Sequence, residues 1–310
     1  MIDEPTSPRI HGAPAVNAGS VGGAARFAQA FRVGQATTAH LFVEASPASF
    51  WKGVEDLATL GFHGTEADNT LARLSDTYGD RVEEFRDRMV KHQMHLPALY
   101  HVLSINDGSR RRENIEEGLR VGKFIHDVGG GILNLAGGKR QPGGNPPEDF
   151  RVLAEVGNEL GKRLREEYGL RLCYHSEVGL IGQTREEIAR IMDQTRPEYF
   201  FLCPDTAHLL AAGSDPVEIV RTYRSRIIHV HFKDFDFNWR NEDVTKAGLR
   251  GGFVELGAGV VDFPALTNLL LTTRYDGWLM LEVDPPRLTP FETAQTNHQY
   301  VTQQLKLAIA

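Results

Sequence analysis

Histidine, carboxylate and lysine side chains cluster in four short segments in the second half of the chain. These segments are CYHSEVG at 173–179, CPDTAH at 203–208, HVHFKD at 229–234 and LEVD at 281–284. Mixed nitrogen and oxygen ligands suit Mn²⁺, Co²⁺, Zn²⁺ or Fe²⁺, whereas Mg²⁺ prefers oxygen ligands alone. Together the four segments predict a site for one divalent cation, with coordination positions left open for a substrate.

Each of these segments lies at the end of a predicted strand, where side chains two residues apart share a face. A single histidine at such a place is more often a hydrogen-bonded structural residue than a ligand, and Asp205 also suits the cap of a following turn. Asp234 and Asp236 are expected to be solvated loop residues. The metal site is therefore predicted from the co-occurrence of the segments. The groups expected to share a face are His229 with His231 and Lys233, Met280 with Glu282 and Asp284, Cys173 with His175, and Cys203 with Asp205.

Eight apolar segments rich in β-branched or aromatic residues alternate along the chain with amphipathic segments of helical period. The predicted strands are 31–36, 62–66, a segment within 95–102, 131–136, 170–175, 199–203, 226–231 and 278–283. The predicted helices are 49–60, 80–92, 110–127, 148–168, 184–193, 215–223, 263–273 and 290–307, with a long loop from about 233 to 261.

This alternation predicts an α/β protein with a (β/α)8 TIM barrel in a single domain over 31–310. A doubly wound sheet is the alternative, but it needs a glycine-rich phosphate-binding turn after the first strand, and VGQATTAH at 33–40 has no such pattern. In a TIM barrel the active site lies at the C-terminal ends of the strands, which is where the four segments fall. Residues 1–30 are expected to be a flexible or loosely docked leader, with a short helix near 24–30.

The composition argues against several classes of protein. The chain has 310 residues, with 34 Lys plus Arg against 41 Asp plus Glu, which gives a formal net charge of −7. An acidic chain without a basic block is a poor candidate for nucleic-acid binding. No apolar run approaches the roughly 20 residues that span a bilayer, and no secretory signal is evident, so a cytoplasmic protein is expected. Two cysteines, Cys173 and Cys203, cannot build a disulfide scaffold and are predicted to be buried thiols.

Three motifs, at spacings specific to one family, resemble a known group of enzymes. DTAH at 205–208, HVHFKD at 229–234 and FVELGAGVVDFPALTNLLLTTRYDGWLMLEVD at 253–284 resemble the sugar phosphate isomerase/epimerase family of xylose-isomerase-like TIM barrels. Within that family, the last stretch is most similar to the branch of inosose (2-keto-myo-inositol) dehydratases. The resemblance runs from about residue 31 to the C-terminus and is strongest from Leu170 onward.

The resemblance implies a set of metal ligands at the ends of the last four strands. Asp205, His231 and Glu282 match the family's ligands, and His208 matches a histidine that lies behind the metal or contacts the substrate. At the fifth strand this sequence has both His175 and Glu177, so one is expected to bind the metal and the other to act as acid or base, with His175 favoured as the ligand. Mn²⁺ is the first expected ion, with Co²⁺, Zn²⁺, Fe²⁺ or Mg²⁺ as alternatives.

The implied chemistry is removal of a proton next to a carbonyl of a keto-sugar or keto-cyclitol, with a metal-stabilised enediolate. Candidates for the proton-abstracting residue are Glu177, Glu282 and Lys233. Dehydration, epimerisation and aldose–ketose isomerisation all start from this intermediate and remain open, as does elimination from an oxidised glycoside. The resemblance also implies a homo-oligomer, a dimer or a tetramer. The residues expected to contact substrate are Glu66, His101, His208 and Lys233.

Two other classes of function remain as alternatives. An abasic-site endonuclease-like nuclease with three zinc ions would need ligands on the second and third strands, where Glu66 and His101 stand. The net charge of −7 and the single-metal pattern argue against it. A non-catalytic barrel that serves in binding or assembly would show bound metal without turnover, or no metal binding.

Overall fold

The computed structural model describes residues 29–240, 245 and 250–309. Within these ranges the strands, in chain order, are β1 Arg32–Gln35, β2 Gly64–Asp68, β3 His95–Leu103, β4 Ile132–Gly137, β5 Arg171–His175, β6 Phe200–Cys203, β7 His229–Phe232, β8 Asp234–Asp236, β9 Gly252–Val254 and β10 Trp278–Leu281. The α-helices are α1 Thr38–Val43, α2 Pro47–Thr59, α3 Asn69–Ala72, α4 Leu74–Tyr78, α5 Val82–Lys91, α6 Arg111–Asp127, α7 Pro147–Tyr168, α8 Arg185–Gln194, α9 Thr206–Ala211, α10 Pro216–Tyr223, α11 Phe263–Thr272 and α12 Pro290–Gln299.

Strands β1 to β7 and β10 form two parallel sheets that meet at both edges. The hydrogen-bonded order is β2-β3-β4-β5-β6 in one sheet and β1-β10-β7 in the other. Between β6 and β7 the sheets meet at a parallel bridge of Asp205 with His231. Between β1 and β2 the backbone N–H of Thr37 donates to the carbonyl oxygen of Glu66 at 2.9 Å. These contacts close the eight strands into the predicted TIM barrel.

The junction of β1 and β2 requires a glycine because the two backbones approach closely. A Cβ on Gly34 would lie 2.6 Å from the carbonyl oxygen of Gly64. That oxygen belongs to the backbone of β2, so it cannot move aside as a flexible side chain would. Gly34 therefore lets the first strand complete the barrel.

Side chains inside the barrel change from apolar at its floor to polar at its mouth. A buried apolar cluster lies low in the barrel and consists of Ala98, Ile132, Cys173, Cys203 and Ile228. Two positions after each of the first four of these residues stand, in the same order, Tyr100, Asn134, His175 and Asp205. The alternation of side chains thus turns an apolar layer into a polar layer within one step of each strand. Both cysteines are free and buried, as predicted.

The longer helices form close to where periodicity predicts them. α2 begins after Ser46, whose Oγ accepts a hydrogen bond from the backbone N–H of Ser49 at 3.1 Å. Gly61 follows that helix with a φ of +88°, as expected of a glycine at a helix C-terminus. α12 starts at Pro290 as predicted, but it ends earlier, because a π-helical turn occupies Tyr300–Gln304.

Several short elements occur where the sequence predicts loops. α1, α3, α4 and α9 have between 4 and 6 residues, too few to show a helical period. The segment 233–261, predicted to be a long loop, contains an antiparallel hairpin of β8 and β9. The predicted leader and its helix near 24–30 lie outside the described residues, except for Gln29 and Ala30. None of the helices in the described ranges has both the length and the apolar character of a bilayer span.

Asp234 differs from its prediction as a solvated loop residue, because it is buried at 1 % exposure. Its two carboxylate oxygens accept the backbone N–H groups of Phe235, Gly257, Gly259 and Val261 at distances between 2.8 and 3.0 Å. A Cβ on Gly259 would lie 2.3 Å from Asp234 Oδ1, so only glycine fits there. Asp234 therefore fastens the chain that follows β9 to the barrel mouth.

Candidate metal centre and active site

Four predicted ligands converge at the C-terminal ends of consecutive barrel strands. His175 ends β5, Asp205 follows β6, His231 lies in β7 and Glu282 follows β10. Each offers one ligand atom, and these atoms all lie within 4.8 Å of one another. All four residues are buried. The structure therefore brings together the set that the resemblance implied, with His175 in the place of the fifth-strand ligand.

The distances within this cluster show ring nitrogens and carboxylate oxygens facing one another. Nε2 of His175 lies 3.2 Å from Nδ1 of His231, and Oε2 of Glu282 lies 3.0 Å from that same Nδ1. Oδ2 of Asp205 lies 3.6 Å from His175 Nε2 and 3.8 Å from His231 Nδ1. Among the residues that the structure describes, no group donates a hydrogen bond to this buried oxygen. Such a group of nitrogen and oxygen atoms is suited to hold a cation.

A carboxylate on the far side of the ring orients His231. Glu66 Oε2 lies 2.9 Å from His231 Nε2. A carboxylate that holds the proton of one ring nitrogen leaves the other nitrogen free as a ligand, so His231 presents Nδ1 to the cluster. His175 turns Nε2 to the cluster, and its Nδ1, 3.6 Å from Glu177 Oε2, has no hydrogen-bond partner among the described residues.

Both carboxylate ligands are also held by hydrogen bonds. Oδ1 of Asp205 accepts the backbone N–H groups of Ala207 and His208, both at 2.9 Å. Asp205 thus caps α9, as its sequence context also predicted, and its other oxygen remains for the cluster. The hydroxyl of Thr38 donates to Oε1 of Glu282 at 2.7 Å, which leaves Oε2 of Glu282 facing His231.

Glu66 supports the cluster from below. Its Oε2 lies 2.5 Å from Nε2 of His229, and its Oε1 accepts a hydrogen bond from Nδ2 of Asn134 at 2.9 Å. Burial acts to raise the pKa of Glu66, but the charges of His229 and His231 outweigh it and hold this pKa well below its usual range. Glu66 was expected to contact substrate; it lines the cavity, and its observed contacts fix the ring of His231.

Lys233 is fully buried and held by carboxylates. Its ammonium contacts Asp284, lies 3.6 Å from Oε2 of Glu282, and stands 4.2 Å from the ring centroid of Phe253. Burial acts to lower the pKa of Lys233, but the carboxylates of Asp284, Glu282 and Asp205 raise it above its ordinary value. Lys233 is therefore a cation, which argues against its predicted role as a neutral base.

His208 is a neutral donor beside this lysine. Its Nδ1 accepts the backbone N–H of Val178 at 3.2 Å, so the ring proton is on Nε2. Nε2 lies 3.2 Å from Nζ of Lys233. Burial, together with the charge of Lys233, lowers the pKa of His208 to about 4. Two donors thus stand side by side, which suits an oxygen atom of a bound molecule.

Glu177 and Tyr100 form a second pair on the wall of the cavity. The hydroxyl of Tyr100 donates to Oε2 of Glu177 at 2.5 Å. Burial acts to raise the pKa of Glu177, but the hydrogen bond and charge of His175 and the charge of His208 lower it to about 2. Glu177 is therefore ionised at neutral pH, as a base must be.

Asp68 stands beside this pair at the end of β2. In the register of the sheet it lies opposite Tyr100 in β3. Its Oδ1 accepts the backbone N–H of Thr70 at 2.7 Å and that of Leu71 at 3.3 Å, and so caps α3. Burial, with a contribution from the charge of Glu177, raises the pKa of Asp68 to about 7 despite these hydrogen bonds.

A cavity opens above the ligand cluster at the mouth of the barrel. Its described lining residues are Thr38, Phe42, Glu66, Ala67, Asp68, Tyr100, His175, Glu177, His208, Lys233, Glu282 and Asp284. Most are ionisable or hydrogen-bonding, so the cavity suits a small polar molecule. Of the candidates named from the sequence for catalysis and substrate contact, all except His101 line it.

His101 lies on the outer face of β3. Its Nε2 is 3.3 Å from Oε1 of Glu117 on α6, and its Nδ1 is 3.4 Å from Nδ2 of Asn69 on α3. The preceding residue, Tyr100, points inward instead, because successive side chains of a strand alternate. The prediction that His101 contacts substrate is therefore corrected, because Tyr100 is the residue of this pair that lines the cavity. Asp68 could have been found by the same rule, since it shares a face with Glu66.

The sequence of most of the barrel matches a known family. A profile of the xylose isomerase-like TIM barrel matches residues 54–304. The chain belongs to this family. The matched region runs from α2 into the π-helical turn after α12 and includes all four residues of the ligand cluster.

Two named relatives align with this chain over different numbers of residues. An inosose dehydratase of Clostridium tetani (strain Massachusetts / E88) is 37% identical over 169 residues, which cover 50% of this chain and 55% of that protein. An inosose dehydratase of Bacillus cereus (strain AH820) is 29% identical over 279 residues, which cover 84% of this chain and 91% of that protein. The homologues are thus enzymes that act on sugar-like molecules.

Solved structures with low sequence identity show the same fold. The probable 3-DHS dehydratase AsbF of Bacillus anthracis has a TM-score of 0.73 at 15% identity, over 88% of this chain and 100% of its own. The IolI protein, described with a bound zinc atom, has a TM-score of 0.70 at 18% identity, over 88% of this chain and 97% of its own.

Proposed function

We propose that this protein is a divalent-metal-dependent enzyme that removes water from a keto-cyclitol or keto-sugar, with inosose as the first candidate substrate. The named relatives that align over most of both chains are inosose dehydratases, which favours dehydration over epimerisation or isomerisation. The observation that carries the proposal is the buried cluster of His175, Asp205, His231 and Glu282 below a polar cavity.

The donor set fits a divalent cation. Asp205 Oδ2 is buried without a hydrogen-bond partner in the described part of the chain, and the facing nitrogens of His175 and His231 are 3.2 Å apart. A single proton between those nitrogens would leave the carboxylate oxygen unsatisfied, whereas a cation would satisfy all the acceptors. These residues and Glu282 would hold the ion, which when bound would polarise a carbonyl oxygen as a Lewis acid. Mn²⁺ is the first ion proposed among those that suit mixed nitrogen and oxygen ligands, which also include Co²⁺, Zn²⁺ and Fe²⁺.

Glu177 is the proposed base. Of the three candidates, Glu282 belongs to the ligand set, and Lys233 is held as a cation by Asp284. Glu177 is ionised, lines the cavity and does not belong to the cluster. It would take the proton from the carbon next to the carbonyl, and Tyr100 would keep its carboxylate in place.

Lys233 and His208 would bind a substrate oxygen. Their Nζ and Nε2 atoms stand 3.2 Å apart, and each carries a proton to donate. A substrate oxygen that gains negative charge during proton removal would be stabilised by two donors that are already in position. Lys233 thus serves in this proposal as an electrostatic contact.

The proposal is tested by following the conversion of inosose after removal and return of metal. Protein treated with a chelator is expected to be inactive, and added Mn²⁺ is expected to restore a product lighter than the substrate by one water. A product of unchanged mass would replace dehydration with epimerisation or isomerisation. Failure to convert any keto-cyclitol or keto-sugar with any of the candidate ions would contradict the proposal.

A further inference from the structure

Asp68 has a carboxylate oxygen that the fold does not use. Its Oδ1 is occupied by the N–H groups of Thr70 and Leu71. The backbone N–H groups that cap α3 do not reach Oδ2, and Asp68 is partly buried and lines the cavity. The rotation of the side chain is fixed by the cap on α3, so this free oxygen is held in one place.

The position of Asp68 is opposite that of the metal ligands. The ligands are on or follow β5, β6, β7 and β10, whereas Asp68 ends β2, and β2 stands across the closed barrel from β6. A molecule bound at the cluster would therefore have its far side towards Asp68. Glu177 is nearby, since both it and Asp68 act on the ionisation of Tyr100.

The environment of Asp68 favours a protonated carboxyl group. Burial raises the pKa of Asp68 to about 7, so this group can carry a proton at neutral pH. Glu177 instead accepts the hydroxyl of Tyr100, and a protonated carboxyl group near such a carboxylate is suited to act as an acid while its neighbour acts as a base. The free Oδ2 is the oxygen that would carry the proton of Asp68.

We propose that Asp68 is the general acid that protonates the departing hydroxyl group of the substrate. This inference rests on the proposed dehydration. Glu177 takes the proton from the carbon next to the carbonyl, and the electron pair of that C–H bond becomes a carbon–carbon double bond. The C–O bond at the next carbon then breaks, and its oxygen leaves as water with the proton of Asp68. Glu177 is left protonated and Asp68 ionised, and proton exchange with solvent restores both.

Asp68→Asn is a suitable variant because its amide oxygen can still accept the N–H groups that cap α3. Asp215→Asn is a matched control, since Asp215 caps α10 through the N–H groups of Val217 and Glu218 and lies outside the cavity. Three rates are measured with each protein. They are deuterium uptake by inosose in D2O, loss of water from inosose, and release of fluoride from an analogue with fluorine in place of the departing hydroxyl.

Asp68→Asn is expected to slow water loss by about 10²–10⁴-fold, which is the usual contribution of a general acid. Deuterium uptake and fluoride release are expected to stay near the rates of the unaltered protein, because neither step needs that proton. Asp215→Asn is expected to change none of the three. Metal content and a thermal melting curve report whether each variant is folded.

Two results would overturn the role of Asp68 while leaving the proposed function intact. One is unchanged water loss in Asp68→Asn, and the other is an equal decrease of all three rates, which would indicate a role in positioning. If the unaltered, metal-loaded protein showed neither deuterium uptake nor water loss, that result would contradict the proposed function and this inference with it.

Discussion

The two histidines of the ligand cluster present different ring nitrogens to it. His231 presents Nδ1 because Glu66 holds its Nε2 at 2.9 Å, whereas His175 presents Nε2 although its Nδ1 has no hydrogen-bond partner among the described residues. For His231 the choice of nitrogen is thus made by the carboxylate behind the ring. This carboxylate matters as much as the residues of the cluster for the geometry of the site.

Glu66→Gln is therefore expected to weaken metal binding without removing a ligand. Glutamine keeps only one oxygen and no charge, and its amide nitrogen would lie against the donor Nδ2 of Asn134 if that oxygen stayed with His229 and His231. The orienting contact is therefore weakened, and we expect about 10–100-fold lower affinity. The affinity is measured by competition with a coloured chelator. Glu255→Gln is the control, because Glu255 is a buried carboxylate that contacts Arg287. Equal affinities of Glu66→Gln and the unaltered protein would contradict the orienting role.

Glu177→Gln is expected to lower the rate of inosose conversion by about 10²–10⁴-fold, because the amide cannot take a proton. Metal content is expected to stay unchanged, since Glu177 lies outside the ligand set. Glu186→Gln, an exposed substitution on α8, is the control. Loss of metal together with activity in Glu177→Gln would instead identify Glu177 as a ligand.

The raised pKa of Asp68 predicts a dependence of stability on pH. The folded protein keeps this proton up to a pKa of about 7, whereas the unfolded chain releases it near the ordinary value of 3.8. Between these values the native state binds more protons, so the contribution of Asp68 to the free energy of unfolding falls as pH rises.

Asp68→Asn removes that contribution. Relative to the unaltered protein, the variant is expected to gain about 2–3 kcal/mol in free energy of unfolding between about pH 5 and about pH 8. Urea denaturation at the two pH values measures the gain. A difference between variant and unaltered protein that is the same at both values would show that the pKa of Asp68 is not raised.

For single residues, the sequence predicts which side chains meet in the cluster better than which side chains line the wall of the cavity. Residues two apart share a face, so Glu282 and Asp284 were expected together, as were Cys203 and Asp205. The sequence predicts the limits of β3 only within 95–102. Because a shift of one residue along a strand moves every side chain to the opposite face, His101 is predicted to point inward where the structure has Tyr100.

The hairpin of β8 and β9 is one of the short elements that the sequence did not predict. Each strand has three residues, too short for alternation to be evident. Asp234 is expected in a loop for the same reason, since three of its four N–H partners are brought to it only by the folded chain at 257–261. Longer elements such as α7, predicted at 148–168 and observed at Pro147–Tyr168, show a clear period and were found.

Asp234→Asn is expected to destabilise this part of the barrel mouth. The amide group would place donors against backbone N–H groups that now donate to a carboxylate, which predicts a loss of about 2–4 kcal/mol in free energy of unfolding. Urea denaturation measures the loss. Asp236→Asn on the same strand is the control, because within the described part of the chain the carboxylate of Asp236 accepts from Asn238 alone. Equal stabilities of the two variants would contradict the fastening role of Asp234.

At the scale of the whole molecule, the site depends on the closure of the barrel. The ligands come from strands on both sides of the junction between β6 and β7, so the cluster forms only when the two sheets meet. The strand count and the position of the site at the C-terminal ends of the strands followed from the alternation of apolar and amphipathic segments. The contacts that close the barrel, such as the approach of Gly34 to Gly64, are visible only in three dimensions.

The metal content of the purified protein tests the central proposal most directly. Elemental analysis is made on the unaltered chain, on Asp205→Asn and Glu282→Gln, and on Asp215→Asn, whose helix cap matches that of Asp205. We predict about one divalent ion per chain in the unaltered protein and in Asp215→Asn, and loss of it in the two ligand variants. Near three zinc ions per chain would favour a nuclease instead. No bound metal, even after incubation with each candidate ion, would contradict the metal centre and the catalytic function built on it.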